Sequence, residues 1–162
     1  MNECVRMAVE KMVKPRVVVD TNLFVSAIIV GGSLPDKLLR LWQIGFYTLV
    51  TSNELISEIE TVLQRSNIKK RYNLSTGMIA QVLRLLRLSS ESASPLSEEN
   101  LPIHSRDNND DRLLALAFGS ESDYLVTGDK DLLVLNDDPL LGHLKIVTVR
   151  DFLAISKSRQ ES

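Results

Sequence analysis

The chain has one cysteine, Cys4, in 162 residues, which excludes an internal disulfide. No Cys-x-x-Cys pair or Cys/His cluster has the spacing of a zinc site. A reducing cytoplasmic compartment is the expected setting. Aromatic residues make up 5% of the chain against 44% hydrophobic, so the core must be built from Leu, Val, Ile and Ala. Such a core favours layered α/β packing. In the first fourteen residues Glu3, Arg6, Glu10 and Lys11 interrupt any apolar run. Neither a signal peptide nor a transmembrane helix is therefore expected, and no membrane partner. Basic charge is not in excess: the net charge of −2 argues against a large nucleic-acid surface unless local placement supplies one. There is no Ser/His or Cys/His pair spaced for nucleophilic catalysis, and His104 and His143 have no partner spacing. Repeats and low-complexity tracts are absent as well.

What is present fits one domain, long enough to bury roughly two-thirds of its unfolded surface. We expect that domain over residues 15–156, after an N-terminal extension, 1–14, and before a tail, 157–162. The extension carries Val5, Val9, Met12 and Val13 at roughly helical spacing. Arg16-Val17-Val18-Val19 reads as a buried parallel strand that runs straight into Asp20. An apolar run, 23–30, follows and ends at Gly31-Gly32. A helix is expected from the cap around Ser33 through Trp42, stopped by Gly45, and then a second strand over 46–50. Thr51-Ser52-Asn53-Glu54 caps a helix striped by Leu55, Ile56, Ile59, Val62 and Leu63. Lys69, Lys70, Arg71 and Tyr72 form a basic patch ahead of a helix capped by Ser75. The stretch 89–100 reads as a surface loop. Cap formers and acids at 105–111 open a further helix, Tyr124 to Val126 is a strand, and 129–133 a helical turn. A strand over 145–149 and a helix ending at Ile155 close the pattern. Strands and helices alternate, so the sheet should be mostly parallel.

The acids stand out against this frame. Asp20 ends one strand, and Thr127-Gly128-Asp129 ends another, which places two carboxylates at the edge where α/β sheets bind ligands. Each can also be a simple cap or turn residue. Glu58 and Glu60 flank the apolar stripe of their helix while Glu54 faces away from it, so either of the first two can reach inward. Asp107, Asp110 and Asp111 divide between ligand and cap. Carboxylates gathered without basic partners call for a hard divalent cation such as Mg²⁺ or Mn²⁺.

Four segments in this order resemble the PIN-domain ribonucleases, and more closely the toxin-like PIN proteins of prokaryotic toxin-antitoxin pairs. They are Val-Val-Val-Asp20-Thr21-Asn22, the segment Thr51 to Glu58, the segment Arg106 to Ala117, and Tyr124 to Leu132. The resemblance implies a three-layer α/β sandwich around a central, mostly parallel sheet. It implies metal-binding, catalytic acids at Asp20, Glu58, Asp111 and Asp129, with Asp131 as a further metal ligand and Asn22 and Thr127 in support. It further implies a Mg²⁺- or Mn²⁺-dependent endoribonuclease with RNA as substrate, a toxin with an antitoxin partner, and a homo-oligomer. Lys69, Lys70 and Arg71 are the expected RNA-binding residues. Two rivals remain: a PIN-fold binding module that does not cut, and a haloacid-dehalogenase-like phosphatase. The phosphatase needs a second aspartate two residues after the first, where this chain has Asn22.

Overall fold

The computed structural model describes residues 14–161. The N-terminal extension expected over 1–14, up to residue 13, lies outside them.

The β-branched run forms the middle strand, β1 (Arg16–Val19). Alternate side chains of a strand point to opposite faces, so Val17 and Val19 enter one apolar cluster and Val18 the other. The same division recurs in β2 (Thr48–Thr51), where Leu49 and Val50 part, and in β4 (Tyr124–Val126), where Leu125 parts from its neighbours. With β3 (Glu91–Ser92) and β5 (Lys145–Val147) these strands make a sheet of order β3-β2-β1-β4-β5, parallel throughout. Apolar residues on both faces require cover on both, and helices supply it.

One face packs against α1 (Thr21–Ile29), α2 (Leu34–Gln43), α3 (Asn53–Leu63), α5 (Thr76–Ser89) and α8 (Val149–Glu161), through Phe24, Leu38, Ile59, Leu83 and Phe152 among others. The short α4 (Ser66–Arg71) joins α3 to α5. The other face is covered by α6 (Asp111–Gly119), α7 (Lys130–Leu133) and the loops bearing Leu101, Ile103 and Leu141. The result is the expected three-layer α/β sandwich. No single described helix is long and apolar enough to cross a membrane.

Three local readings change. The apolar run after β1 is a helix whose N-cap is Asp20 itself. The final helix continues to Glu161 rather than stopping at Ile155, because no Gly or Pro interrupts 156–161. The stretch 89–100 is not wholly loop: β3 pairs with β2, Val50 beside Glu91 and Thr51 beside Ser92. The chain that follows is pinned to α6 by the Leu96 N–H donating to the Ala115 carbonyl at 2.8 Å. Gly119 permits that approach, since a Cβ there would lie 2.4 Å from the Ser94 carbonyl oxygen.

Candidate active site

Chain order reverses between β1 and β4, and in open α/β sheets the crevice beyond such a point is where ligands bind. Asp20 and Asp129 stand there. Each caps a helix: Asp20 accepts the Asn22 N–H at 3.1 Å, and Asp129 accepts the Asp131 N–H at 2.9 Å. Capping does not remove them from the crevice: both line its cavity, and each carboxylate oxygen has a second lone pair beyond the bond it accepts. Thr127, fully buried, ties the two loops together. Its hydroxyl donates to Asp20 Oδ2 at 2.8 Å and accepts the Asp129 N–H at 3.0 Å. Ladder bonds beyond the strands, from Asp20 N–H to the Val126 carbonyl and from Thr127 N–H to that of Val147, hold the edge rigid.

The acid-rich turn resolves into a 3₁₀ turn (Asn108–Asp110) running into α6. Asp107 caps it by accepting the Asn109 N–H. Here the structure corrects the expected grouping: Asp110, not Asp111, reaches the crevice. Asp111 is 3% exposed, and its two oxygens are occupied by the Ser105 N–H at 2.7 Å and by His104 Nδ1 at 2.9 Å. Successive residues at a helix start differ in direction by about 100°, so the neighbouring carboxyls cannot share a face. Asp110, 9% exposed, accepts the Ser105 hydroxyl at 3.4 Å and has a carboxylate oxygen within 4.8 Å of one of Asp129, so that a proton on either can form a bond between them. Burial, that bond, and the charges of Asp129, Asp107 and Asp20 push its pKa up to about 7.

These residues line a cavity of about 490 Å³ together with Asn22, Glu54, Glu58, Glu98 and Arg112. Among the described residues, seven lining side chains are carboxylates (Asp20, Glu54, Glu58, Glu98, Asp107, Asp110, Asp129) and one is a cation. Glu58 accepts a long hydrogen bond, 3.4 Å, from the Thr21 hydroxyl. Glu60, the other candidate on α3, instead pairs with Arg87 at 3.6 Å. Asp131 is not part of the lining, but its carboxylate joins those of Asp110 and Asp129, with one oxygen of each within 4.8 Å of the others. Lys69, Lys70 and Arg71 do not line the cavity. Lys69 donates to Gln64 and Thr76 side chains, and the Arg71 guanidinium lies 5.4 Å from the centre of the Tyr72 ring. Arg112 gave no signal in the sequence beyond its place next to Asp111, and Glu54 was read as facing outward; both line the cavity.

The donor set is all oxygen and scarcely neutralised. That chemistry fits a hard divalent cation and disfavours zinc, which takes nitrogen and sulfur. Any such cation would be held first by Asp110, Asp129 and Asp131, with Asp20 and Glu58 facing the same space.

The chain is 30% identical over 151 residues to an uncharacterized protein of Methanocaldococcus jannaschii, an alignment that covers 89% of this chain and 94% of that protein. The PIN-domain family profile matches residues 16–131, a span that runs from the start of β1 through Asp131 and so contains every acid of the crevice. The phosphatase rival is thereby set aside, and the chain belongs to the PIN-domain family, whose members are generally nucleases.

Proposed function

We propose that the protein is a divalent-metal-dependent endoribonuclease that hydrolyses RNA phosphodiester bonds. The observation that carries the proposal is the convergence of Asp20, Glu58, Asp110 and Asp129 on one crevice at the switch point of a PIN-family sheet. Asp110 takes the place first expected for Asp111. Mg²⁺ or Mn²⁺ held there supplies an acidified water and charge neutralisation for attack at phosphorus. The chain's own residues do the remainder. Thr127 fixes the separation of Asp20 and Asp129, and Thr21 orients Glu58. Asp110, holding its proton up to a pKa of about 7, releases it when positive charge enters the site.

The test is incubation of the purified chain with defined single-stranded RNAs in Mg²⁺, in Mn²⁺ and in chelator, alongside Asp110→Asn. Cleavage that needs metal and Asp110 is expected. Cleavage that survives in chelator or in Asp110→Asn would overturn the reading, and no cleavage at all would favour a binding module.

We further propose that the protein is the toxin of a toxin-antitoxin pair. What supports this is the closeness of its four motifs to toxin-like PIN proteins. A surface suited to a protein partner or a second copy also exists, since Met78 and Leu85 on α5 are exposed at an apolar depression of about 280 Å³. Growth arrest on expression, relieved by a co-expressed small neighbouring protein, is the expected result. Normal growth on expression of cleavage-competent protein would refute the toxin role.

A further inference from the structure

Arg112, the one cation among the cavity's described lining residues, also lines a second depression of about 580 Å³ that runs along α3 to Arg65. The two depressions share Glu54, Glu58 and Arg112, so they form one continuous groove. Its α3 side is polar: Asn53, Ser57 and Thr61 recur every four residues and therefore present one face of the helix. Leu63, the last residue of α3, stands about 7.5 Å beyond Glu58 along the axis, and Arg65 follows just past it.

Both arginines are exposed, and neither is among the ion pairs of the described residues. Arg16 is bound to Glu91, Arg40 to Asp36 and Arg87 to Glu60, whereas Arg84, Arg106 and Arg150 share with Arg65 and Arg112 the lack of such a pair among the described residues. What sets Arg65 and Arg112 apart is that both line the groove. Arg112 lines the groove with Glu54 and Glu58 and yet pairs with neither. A guanidinium has five donors in a planar fork that matches phosphate oxygens. Two such forks, uncommitted and aligned along a groove that opens from an acidic crevice, are suited to a polyanion entering that crevice. A nucleic-acid strand needs this help, because the seven carboxylates otherwise repel its backbone.

We infer that Arg112 and Arg65 are positioning residues that bind backbone phosphates of the RNA strand to one side of the bond that is cut. The groove along α3, rather than the α4 patch of Lys69, Lys70 and Arg71, is the track of the strand. The inference rests on the ribonuclease reading above, and its test separates the two.

Binding is measured with Asp129→Asn protein and a fluorescent single-stranded RNA in chelator, across a salt series, so that no cleavage is involved. Arg112→Gln and Arg65→Gln, each added to that protein, should weaken binding severalfold. Each should also make the slope of log K against log salt shallower by about 0.7, the loss of one phosphate contact. Lys70→Gln and Arg71→Gln should leave the slope in place. In cleavage assays of the otherwise native chain, Arg112→Gln and Arg65→Gln should raise KM with kcat nearly unchanged, and Arg112→Lys should recover most of the salt slope. Unchanged slopes in both arginine variants overturn the inference, as does a loss confined to Lys70→Gln and Arg71→Gln. Cleavage by the native chain with unchanged arginine slopes would refute the groove and leave the ribonuclease reading standing. Shallower slopes in a protein that cuts nothing would uphold the groove and refute the catalytic reading.

Discussion

The two ends of β1 and β4 treat charge in opposite ways. At their amino ends Arg16 is matched on every side: its N–H donates to Asp123 Oδ2 at 2.8 Å, its guanidinium pairs with Glu91 at 2.6 Å, and its Nε reaches the Ser120 carbonyl. At their carboxyl ends, only a few residues along the same strands, seven carboxylates and a single arginine line a cavity among the described residues. Both ends are built from Asp, Glu and Arg on one rigid sheet, so propensity does not distinguish them. The difference is whether partners are supplied. Charges that only hold the fold are neutralised where they stand, whereas charges held for a ligand are left unmatched at a cost in stability.

That contrast predicts its largest effect on catalysis. Asp110→Asn and Asp129→Asn should each lower RNA cleavage by roughly 10²-fold or more, while Asp123→Asn leaves it intact. Initial rates at saturating Mn²⁺ check both, and a comparable loss in Asp123→Asn would erase the distinction between the two ends.

Stability should respond to pH through Asp110. An unfolded aspartate ionises near 3.8, whereas the folded chain keeps this proton to about 7. Between those values unfolding releases a proton, so rising pH favours the unfolded state, and the penalty is complete above about 7. Without metal, the protein should lose a few kcal/mol between about pH 4 and 7 through this group. Denaturant melts of native chain and Asp110→Asn in chelator test this; an equally steep decline in the mutant would exclude Asp110 as its source.

Metal should reverse that penalty. At a hundredfold excess over Kd, Mn²⁺ should add about 2.7 kcal/mol, and the gain should shrink as pH falls below about 7, where Asp110 keeps its proton. Melting in chelator and in Mn²⁺ at two pH values decides it; a gain independent of pH would detach Asp110 from the ligand set.

Asp111→Asn should act on the fold instead. One of its two hydrogen bonds must be lost or inverted, costing about 1–3 kcal/mol, with cleavage per folded molecule largely kept. Abolished cleavage in a fully folded Asp111→Asn protein would restore it to the site. Smallest of all, Glu91→Gln at the amino end should cost under about 1 kcal/mol, because the Arg16–Glu91 pair is partly solvated. A larger drop in melting temperature would mean that β3 depends on this pair.

How much of the site was legible depended on how far each residue's role was set by its neighbours in the chain. Asp20 and Asp129 could be read because an apolar strand immediately precedes each, and a strand's end has a known place in a parallel sheet. Glu58 could be read only as one of two stripe-flanking acids, and it took the packing of α3 on α1, with Arg87 capturing Glu60, to separate them. β3 could not be read at all, since Glu91-Ser92 has no apolar pattern and exists only because β2 offers an open edge.

The sequence by itself determined that Val17 to Val19 would be buried on both faces, that the strands would be parallel, and that acids would stand at their carboxyl ends. These follow from periodicity and capping, which act over a few residues. Only the tertiary structure decided between Asp110 and Asp111, because a 3₁₀ turn ahead of α6 sets which carboxyl faces the crevice and which meets Ser105 and His104. It also placed Arg112 and Arg65 on one groove across 47 positions of sequence. Such a meeting is fixed by how α3 and α6 pack around the sheet, a long-range arrangement that no local pattern of residues encodes.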